Sequence, residues 1–514
     1  MTKVDVLLTN AIVVTMDEQY QVFLNGAVAV KDHKIVAVGE ADELANQFED
    51  AAEVIDCAGK VLMPGLINVH THVPMTLLRG LVDDLRLDVW LMGYMMPVER
   101  EFVTPEFCRL GTQLACAEMI RSGTTTFADM YYFEDIVAEA TKAAGMRAVV
   151  GQSVLKFPSP DSNSYEDGLQ LAEELFKKWK GDELIVPAIA PHAPYTCTDE
   201  ILQQSSALAQ QYDLPLHIHL AETASEVENM RKERDMPVIP YVKKQNVFDA
   251  HTIAAHCVHI DEGEIHTLEH HGVGVAHNPS SNMKLASGAA PVSRMLDVGV
   301  TVGIGTDGTA SNNDLDMFEE IRLASFLAKV DTLEPTVLPA RQVLTMATRM
   351  GAKVLGLEDL TGSLEVGKAA DLILVNLDAP HNTPRFLHEK NSIYAQLIYA
   401  AKGSDVTDVM IHGQFVMRER ELLTLDEKKI MAEAQKMAAD IDEFLTARED
   451  SVLLKLIAVG GALEEESFEV QAKIAVEDHA PILQALKKPE LEIIYDRHYH
   501  EYDTYFSFAD PEQG

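Results

Sequence analysis

Apolar and polar positions change rhythm along the chain. Up to about residue 64 they alternate over short runs, as half-buried strands do, and residues 27–39 read as a hairpin turning at Lys31 to His33. From about 65 to 360 the runs become solidly apolar and recur between stretches of helical spacing. Candidate strands are 66–70, 124–130, 147–154, 185–190, 215–220, 252–256, 273–277 and 301–306, with helical signals between them such as 104–121, where Pro105 stands near the start. Eight strands alternating with helices are what a (β/α)8 barrel of the TIM type requires. Strand texture returns after residue 364 and lasts to about 420, and 424–448 has amphipathic helical spacing with Thr424 or Asp426 as its cap. The predicted fold class is α/β: a (β/α)8 TIM-type barrel, a small β-sandwich domain built from both flanks, and a short C-terminal appendage. The expected parts are 1–64 (first half of the small domain), 65–364 (barrel), 365–448 (second half and closing helix) and 449–514 (appendage).

The polar residues that end these apolar runs carry the chemistry. Leu66-Ile67-Asn68-Val69-His70-Thr71-His72 closes an apolar run with two histidines at i and i+2, which share one face of a strand. Two imidazoles so placed can converge on one metal ion. With nineteen histidines in the chain, one such pair arises easily by chance. The pattern repeats, however. His217-Ile218-His219 ends the next such run, with Glu222 three residues on; His256, His277 and Asp307 end others. In a TIM-type barrel the active site lies at the C-terminal ends of the strands. Packing alone does not account for five such endings in order.

Composition narrows the partners. Hydrophobic residues make up 47% of the chain, ample for a large core, and the length suits two to four domains or one barrel with additions. The formal charge of −39, from 42 basic and 81 acidic residues, argues against nucleic acid and anionic membranes and favours a small-molecule substrate. The five cysteines (Cys57, Cys108, Cys116, Cys197 and Cys257) are scattered, with no Cys-x-x-Cys, so neither a disulfide framework nor a thiolate zinc site is indicated. No apolar run reaches membrane-spanning length, and residues 1–8 alternate like a strand rather than a signal-peptide core, so a cytoplasmic setting is expected.

Taken together, Pro64-Gly65-Leu66-Ile67-Asn68-Val69-His70-Thr71-His72, Pro191-His192-Ala193-Pro194-Tyr195, His219-Leu220-Ala221-Glu222-Thr223, His277-Asn278-Pro279-Ser280-Ser281-Asn282 and Gly305-Thr306-Asp307-Gly308 resemble the amidohydrolase superfamily over about residues 1–445. The likeness is greatest to 5′-methylthioadenosine/S-adenosylhomocysteine deaminases, with chlorohydrolases nearby. The resemblance implies that His70, His72, His219 and Asp307 bind a metal and that Glu222, His256 and Asp307 do the chemistry. It implies Zn2+, one per subunit, with Fe2+ or Mn2+ as alternatives, and a homo-oligomer. The fourth candidate strand ends in Ala190-Pro191-His192 and lacks the bridging lysine of binuclear relatives. Water would attack an amino-bearing ring carbon, giving an inosyl product and ammonia. Glu99 would take the ribose hydroxyls, His192, Ser311 and Glu222 would touch the nucleoside, His217 and His277 would support the site, and Met75 and Trp90 would line it. Where some relatives that accept S-adenosylhomocysteine carry an arginine, this chain has Gln152, which favours methylthioadenosine; Lys156 nearby reads as a rim residue.

Phe468-Glu469-Val470-Gln471-Ala472-Lys473 faintly resembles the opening strand of a CYTH (triphosphate tunnel) domain, but too few residues follow for a closed barrel. The appendage is therefore expected to have no catalytic role. Two other readings compete. One is a deaminase or dechlorinase of another heterocycle (guanine, 8-oxoguanine, an s-triazine), against which Glu99 argues for a ribose. The other is a non-catalytic assembly protein on the same fold, which the retained ligand set disfavours.

Overall fold

The short alternating runs of the two flanks meet in one mostly antiparallel sheet. The structure, a computed structural model, describes residues 3–84, 90–386, 389 and 392–449. The expected appendage with its CYTH-like strand lies, Glu449 apart, outside the described residues. The chain divides into two compact units, Met1–Ile441 and Asp442–Gly514. Of the second, the described part is the end of the last helix, Glu427–Glu449.

In the first unit, Val6–Val14, Val22–Lys31, Lys34–Glu40, Glu53–Asp56 and Val61–Pro64 join Leu372–Val375, Val406–Ile411, Gln414–Arg418 and Glu421–Leu422 in a single sheet. The flanks meet where Val61–Pro64 pairs antiparallel with Leu372–Val375, Leu62 opposite Leu374. Period-2 alternation sorts the faces. Leu8, Val28, Val30, Leu62 and Leu374 fill one core, while Leu7, Ala27 and Ala29 turn the other way against the helix Ala41–Gln47.

Eight parallel strands form the barrel: Leu66–Thr71, Thr124–Tyr131, Arg147–Val154, Ile185–Pro191, Leu216–Leu220, Thr252–His256, Gly274–His277 and Thr301–Ile304, each paired with the next. They match the predicted strands to within two residues at either end. Ile67, Val69, Ala128, Val149, Ala188, Ile253, Ala255 and Ala276 fill the interior with Ala352 and Val354, from the helix Arg349–Val354. That helix closes the N-terminal end, so the chemistry is left to the other.

Hydrogen bonds from side chain and backbone complete the closure between the first and last strands. Asn68 accepts the Thr306 N–H at 3.0 Å and donates to the Thr306 hydroxyl at 2.7 Å, while the Asp307 N–H donates to the His70 carbonyl at 3.0 Å. Gly305 makes this approach feasible: a Cβ there would lie 2.5 Å from Asn278 Oδ1 and 2.9 Å from the His70 nitrogen. All five cysteines are buried and unpaired. Among the described residues no helix is long and apolar enough to cross a membrane.

Barrel and sheet are joined by a buried ion pair. Arg147, the first residue of the third strand, donates through Nε at 2.9 Å and Nη2 at 3.3 Å to Asp371, which precedes the strand Leu372–Val375. Arg147→Met would leave the Asp371 carboxylate buried without its partner, which costs roughly 3–5 kcal/mol. The urea midpoint should fall accordingly, and the double variant Arg147→Met/Asp371→Leu should recover most of the loss. A single variant with the wild-type midpoint would show that this pair does not hold the junction.

Candidate metal and active site

Strand geometry brings the candidate ligands to one end of the barrel. His70 lies in the first strand with His72 directly after it, His219 lies in the fifth, His256 ends the sixth, and Asp307 follows the eighth by three residues. The ligand atoms of His70, His72 and His219 lie within 4.8 Å of one another, as do those of His70, His256 and Asp307. Asp307 Oδ1 is 3.3 Å from His70 Nε2 and 3.2 Å from His72 Nε2. His256 Nε2 stands 3.9 Å from both Glu222 Oε2 and Asp307 Oδ2.

The nitrogens that face away determine what faces in. His72 donates its Nδ1–H to the Met130 carbonyl at 2.6 Å, and His219 donates its Nδ1–H to the His192 carbonyl at 2.8 Å. Carbonyls only accept, so in the neutral rings Nε2 presents a lone pair. Those two Nε2 atoms are 3.3 Å apart, which facing lone pairs tolerate only with a proton or a cation between them. His70 Nε2 is buried without a hydrogen-bond partner, and its Nδ1 lies 2.9 Å from His217 Nε2. Burial, with the charges of His70 and His72, keeps His217 well below the ordinary histidine range, so it is neutral and can accept that proton. Three imidazoles and a carboxylate with buried, converging lone pairs fit a divalent metal.

The two acidic groups are driven apart by their surroundings. Burial alone would raise Asp307, but the imidazoles of His70, His72 and His256 around it hold its carboxyl well below the usual range. Ser281 donates to its Oδ2 at 2.7 Å and the Gly308 N–H to its Oδ1 at 2.8 Å. Burial raises Glu222 above its ordinary value; His256 opposes this and the charge of Asp307 adds to it. Asn282 accepts from His256 Nδ1–H at 3.0 Å, which leaves His256 Nε2 facing both carboxyls. Glu222 is itself anchored: Glu226 accepts the Ala221 N–H at 3.1 Å and the Glu222 N–H at 2.8 Å, while Thr223 caps the helix Ala224–Arg234.

The remaining candidates are spread around this cluster. Glu99, on the helix Met96–Phe102, accepts from the Tyr131 phenol at 2.6 Å. Burial raises Glu99 to about 7 against that hydrogen bond and the charge of His72. His192 follows the fourth strand with its ring 4.7 Å from that of His219; burial, then the charges of His72 and His70, lower it to about 3. Ser311 is buried in the turn Thr309–Asn312 and donates to the Gly308 carbonyl at 3.0 Å. Gln152 is not gathered to the imidazoles: it is buried on the third strand and donates to Asp161 at 2.8 Å. Lys156 is exposed. Met75 and Trp90 are buried, and the ring nitrogen Nδ1 of His277 is buried without a hydrogen-bond partner.

Several residues that shape the site were not singled out from the sequence. Ser281 and Asn282 belong to a quoted motif, yet only the fold shows that they hold Asp307 and His256. Glu226 was legible as the fourth member of Thr223-x-x-Glu226, a capping-box spacing. Tyr131 ends an apolar run just as the histidines do. Asn68 carried no signal, because its partner lies 238 residues away.

The Amidohydrolase family model matches residues 61–416, and a short match over 26–48 is to an imidazolonepropionase-like composite domain of bacteria. The chain is 47% identical over 440 residues to the 5-methylthioadenosine/S-adenosylhomocysteine deaminase of Syntrophobacter fumaroxidans, spanning 86% of this chain and 99% of that one. It is 43% identical over 439 residues to the 5′-deoxyadenosine deaminase of Methanosarcina mazei, spanning 85% and 98% respectively. The crystal structure of an adenosine deaminase from Xanthomonas campestris with bound zinc superposes with a TM-score of 0.83 at 42% identity, over 86% of this chain and 99% of that one. The matched span contains all eight barrel strands, and the chain belongs to the amidohydrolase family.

Proposed function

We propose that this protein is a metal-dependent hydrolytic deaminase of adenosine-type nucleosides, with 5′-methylthioadenosine preferred over S-adenosylhomocysteine. One observation carries the reading. Glu222, buried and pushed toward its protonated form, and Asp307, held ionised, flank one point beside the three imidazoles, with His256 Nε2 3.9 Å from each. Environments that split two carboxyls in this way mark an acid and a base. The names of the relatives support the same chemistry.

His70, His72, His219 and Asp307 would hold one divalent metal, zinc in this reading. When bound, it supplies Lewis acidity that makes water a nucleophile near neutral pH. Glu222 donates its proton to the ring nitrogen beside the amino-bearing carbon, which for adenine is N1 beside C6. Asp307 accepts the proton of the attacking water and passes it to the amine. His256 Nε2 hydrogen-bonds the water and the oxygen it becomes. The C–O bond forms at C6, the C–N bond breaks as ammonia leaves, and the remaining hydroxyl proton returns to Glu222, giving the inosyl product. Glu99 accepts the ribose hydroxyls, and His192 and Ser311 border the nucleoside. The fourth strand ends at Pro191, followed by His192, with no lysine, which supports a single metal.

Substrate preference rests on the 5′ side. Gln152 carries no charge and its amide is committed to Asp161, so a carboxylate tail finds no guanidinium there. Lacking such a charge-assisted pair forgoes roughly 1.5–3 kcal/mol. Guanine or an s-triazine would use the same metal chemistry, but would leave the carboxylate of Glu99 without a diol. Five buried, unpaired thiols support a reducing, cytoplasmic setting.

Elemental analysis of purified protein should find about one zinc per chain, as a site of this donor set holds, and His72→Ala or His219→Ala should each empty it. Retention of full occupancy in either variant would remove that residue from the ligand set. On zinc-loaded protein, kcat/KM should be highest for methylthioadenosine among methylthioadenosine, S-adenosylhomocysteine, adenosine and guanine. Glu222→Gln should lower kcat by ~10²–10⁴-fold, as expected for a general acid. Turnover of guanine or a triazine with no adenosine compound accepted would end the nucleoside reading while leaving the metal site standing.

A further inference from the structure

Three consecutive residues at the end of the second barrel strand, Thr124–Tyr131, reach two different parts of the site. Asp129 is fully buried and accepts from the Thr71 hydroxyl at 2.7 Å and the Val73 N–H at 2.6 Å, so it ties the Thr71 side chain and the Val73 backbone on either side of His72. The Met130 carbonyl accepts His72 Nδ1–H at 2.6 Å and orients the ring. The Tyr131 phenol then donates to Glu99 Oε1 at 2.6 Å. Burial, with the charge of Glu99, raises the phenol well above its ordinary value, so it remains a donor.

This strand end is stiff. It pairs with the first strand through Thr71 and Asp129, and with the third through Tyr131 and Gln152. Gln152 is tied in turn to Asp161, which also accepts the Phe133 N–H at 2.8 Å. Glu99 comes from another kind of element. It lies on the short helix Met96–Phe102, in the long excursion between the first and second strands, outside the barrel ladder. The Tyr131 ring, 5% exposed, stands 6.4 Å from the His72 ring on one side and holds Glu99 on the other.

We propose that Tyr131 is a specificity-determining positioning residue: it fixes the distance between Glu99 and the metal ligand His72, and so selects nucleosides whose ribose hydroxyls match that span. The inference rests on the nucleoside-deaminase reading above. With Oε1 held by the phenol, Oε2 is the oxygen assigned to the ribose. A carboxyl freed from the phenol would lose its register with the ring carbon.

The test uses the zinc-loaded enzyme and three substrates: adenosine, 2′-deoxyadenosine and 3′-deoxyadenosine. The wild type should prefer adenosine over at least one deoxynucleoside. Tyr131→Phe should lose roughly 10- to 100-fold in kcat/KM on adenosine, the range of a charge-assisted hydrogen bond, mostly through KM. It should change little on the deoxynucleoside that lacks the hydroxyl Glu99 holds, and metal content should not change. In the Glu99→Ala background, Tyr131→Phe should have no further effect. An equal loss on all three substrates, unaltered discrimination, or additive losses with Glu99→Ala would each overturn the proposal. Should Tyr131→Phe not fold, Glu99→Asp draws the carboxylate out of the phenol's reach and should lose the same discrimination; retention of it overturns the proposal. A wild type that deaminates no adenosine compound would instead bring down the function on which this rests.

Discussion

The site depends on closure of the barrel between its first and last strands. The His70 carbonyl and the Asp307 N–H make one of the closing hydrogen bonds, at 3.0 Å, so a single contact joins one end of the chain's catalytic span to the other. Asn68 reinforces it through both atoms of its amide. The approach needs glycine at 305, where any side chain would strike Asn278 and His70. It also places Asp307 at φ +61°, in the left-handed region, a conformation that costs a non-glycine residue about 1–3 kcal/mol and that packing must sustain. His256 shares this strain at φ +74°. Both residues lie where the chain turns away from the ladder, His256 at the end of the sixth strand and Asp307 three residues past the eighth.

Once the ends meet, electrostatics decides what the cluster can be. Imidazole lone pairs oriented by outward hydrogen bonds converge on a buried volume beside an ionised carboxylate. Such a cluster is poorly matched to neutral contents and well matched to a dication. The same carboxylate charge that favours a cation also adds to the upward shift that burial gives Glu222. In the proposed mechanism, metal binding and general acid catalysis are therefore not independent: both draw on the charge of Asp307. Glu226, by taking the N–H groups of Ala221 and Glu222, fixes the position of Glu222 through the backbone.

The barrel was legible because parallel strands buried on both faces read as solid apolar runs, and the candidate metal ligands stood where a run stopped. That rule located His70, His72, His219, His256 and Asp307 without knowledge of which strands are neighbours. It could not show register. Nothing in the local sequence of Asn68 signals Thr306, and nothing around Arg147 signals Asp371, because those partners are set by which strand closes on which. Gln152 shows the opposite limit. Resemblance to relatives named the position, but only the fold shows its amide turned to Asp161, as a brace of the strand end that carries Tyr131. Polar residues whose role is to hold another residue have no signature of their own when the held residue is distant in sequence.

This division has a consequence for how substrate choice is built. The groups proposed to perform hydrolysis sit on or within a few residues of ladder-bonded strands, so their spacing follows from barrel geometry. The groups assigned to the substrate lie instead on the connections: Glu99 between the first and second strands, His192 after the fourth, Ser311 after the eighth. A connection can change length and composition without disturbing the ladder. What it lacks is the ladder's rigidity, and selectivity between similar nucleosides requires positions held to a fraction of an ångström. The side chain of Glu99 gains that precision from a strand-end phenol rather than from its own short helix. Discrimination in this chain is then set where a connection is pinned to a strand, and a change of substrate preference requires a change of the pin as much as of the residue that meets the ligand.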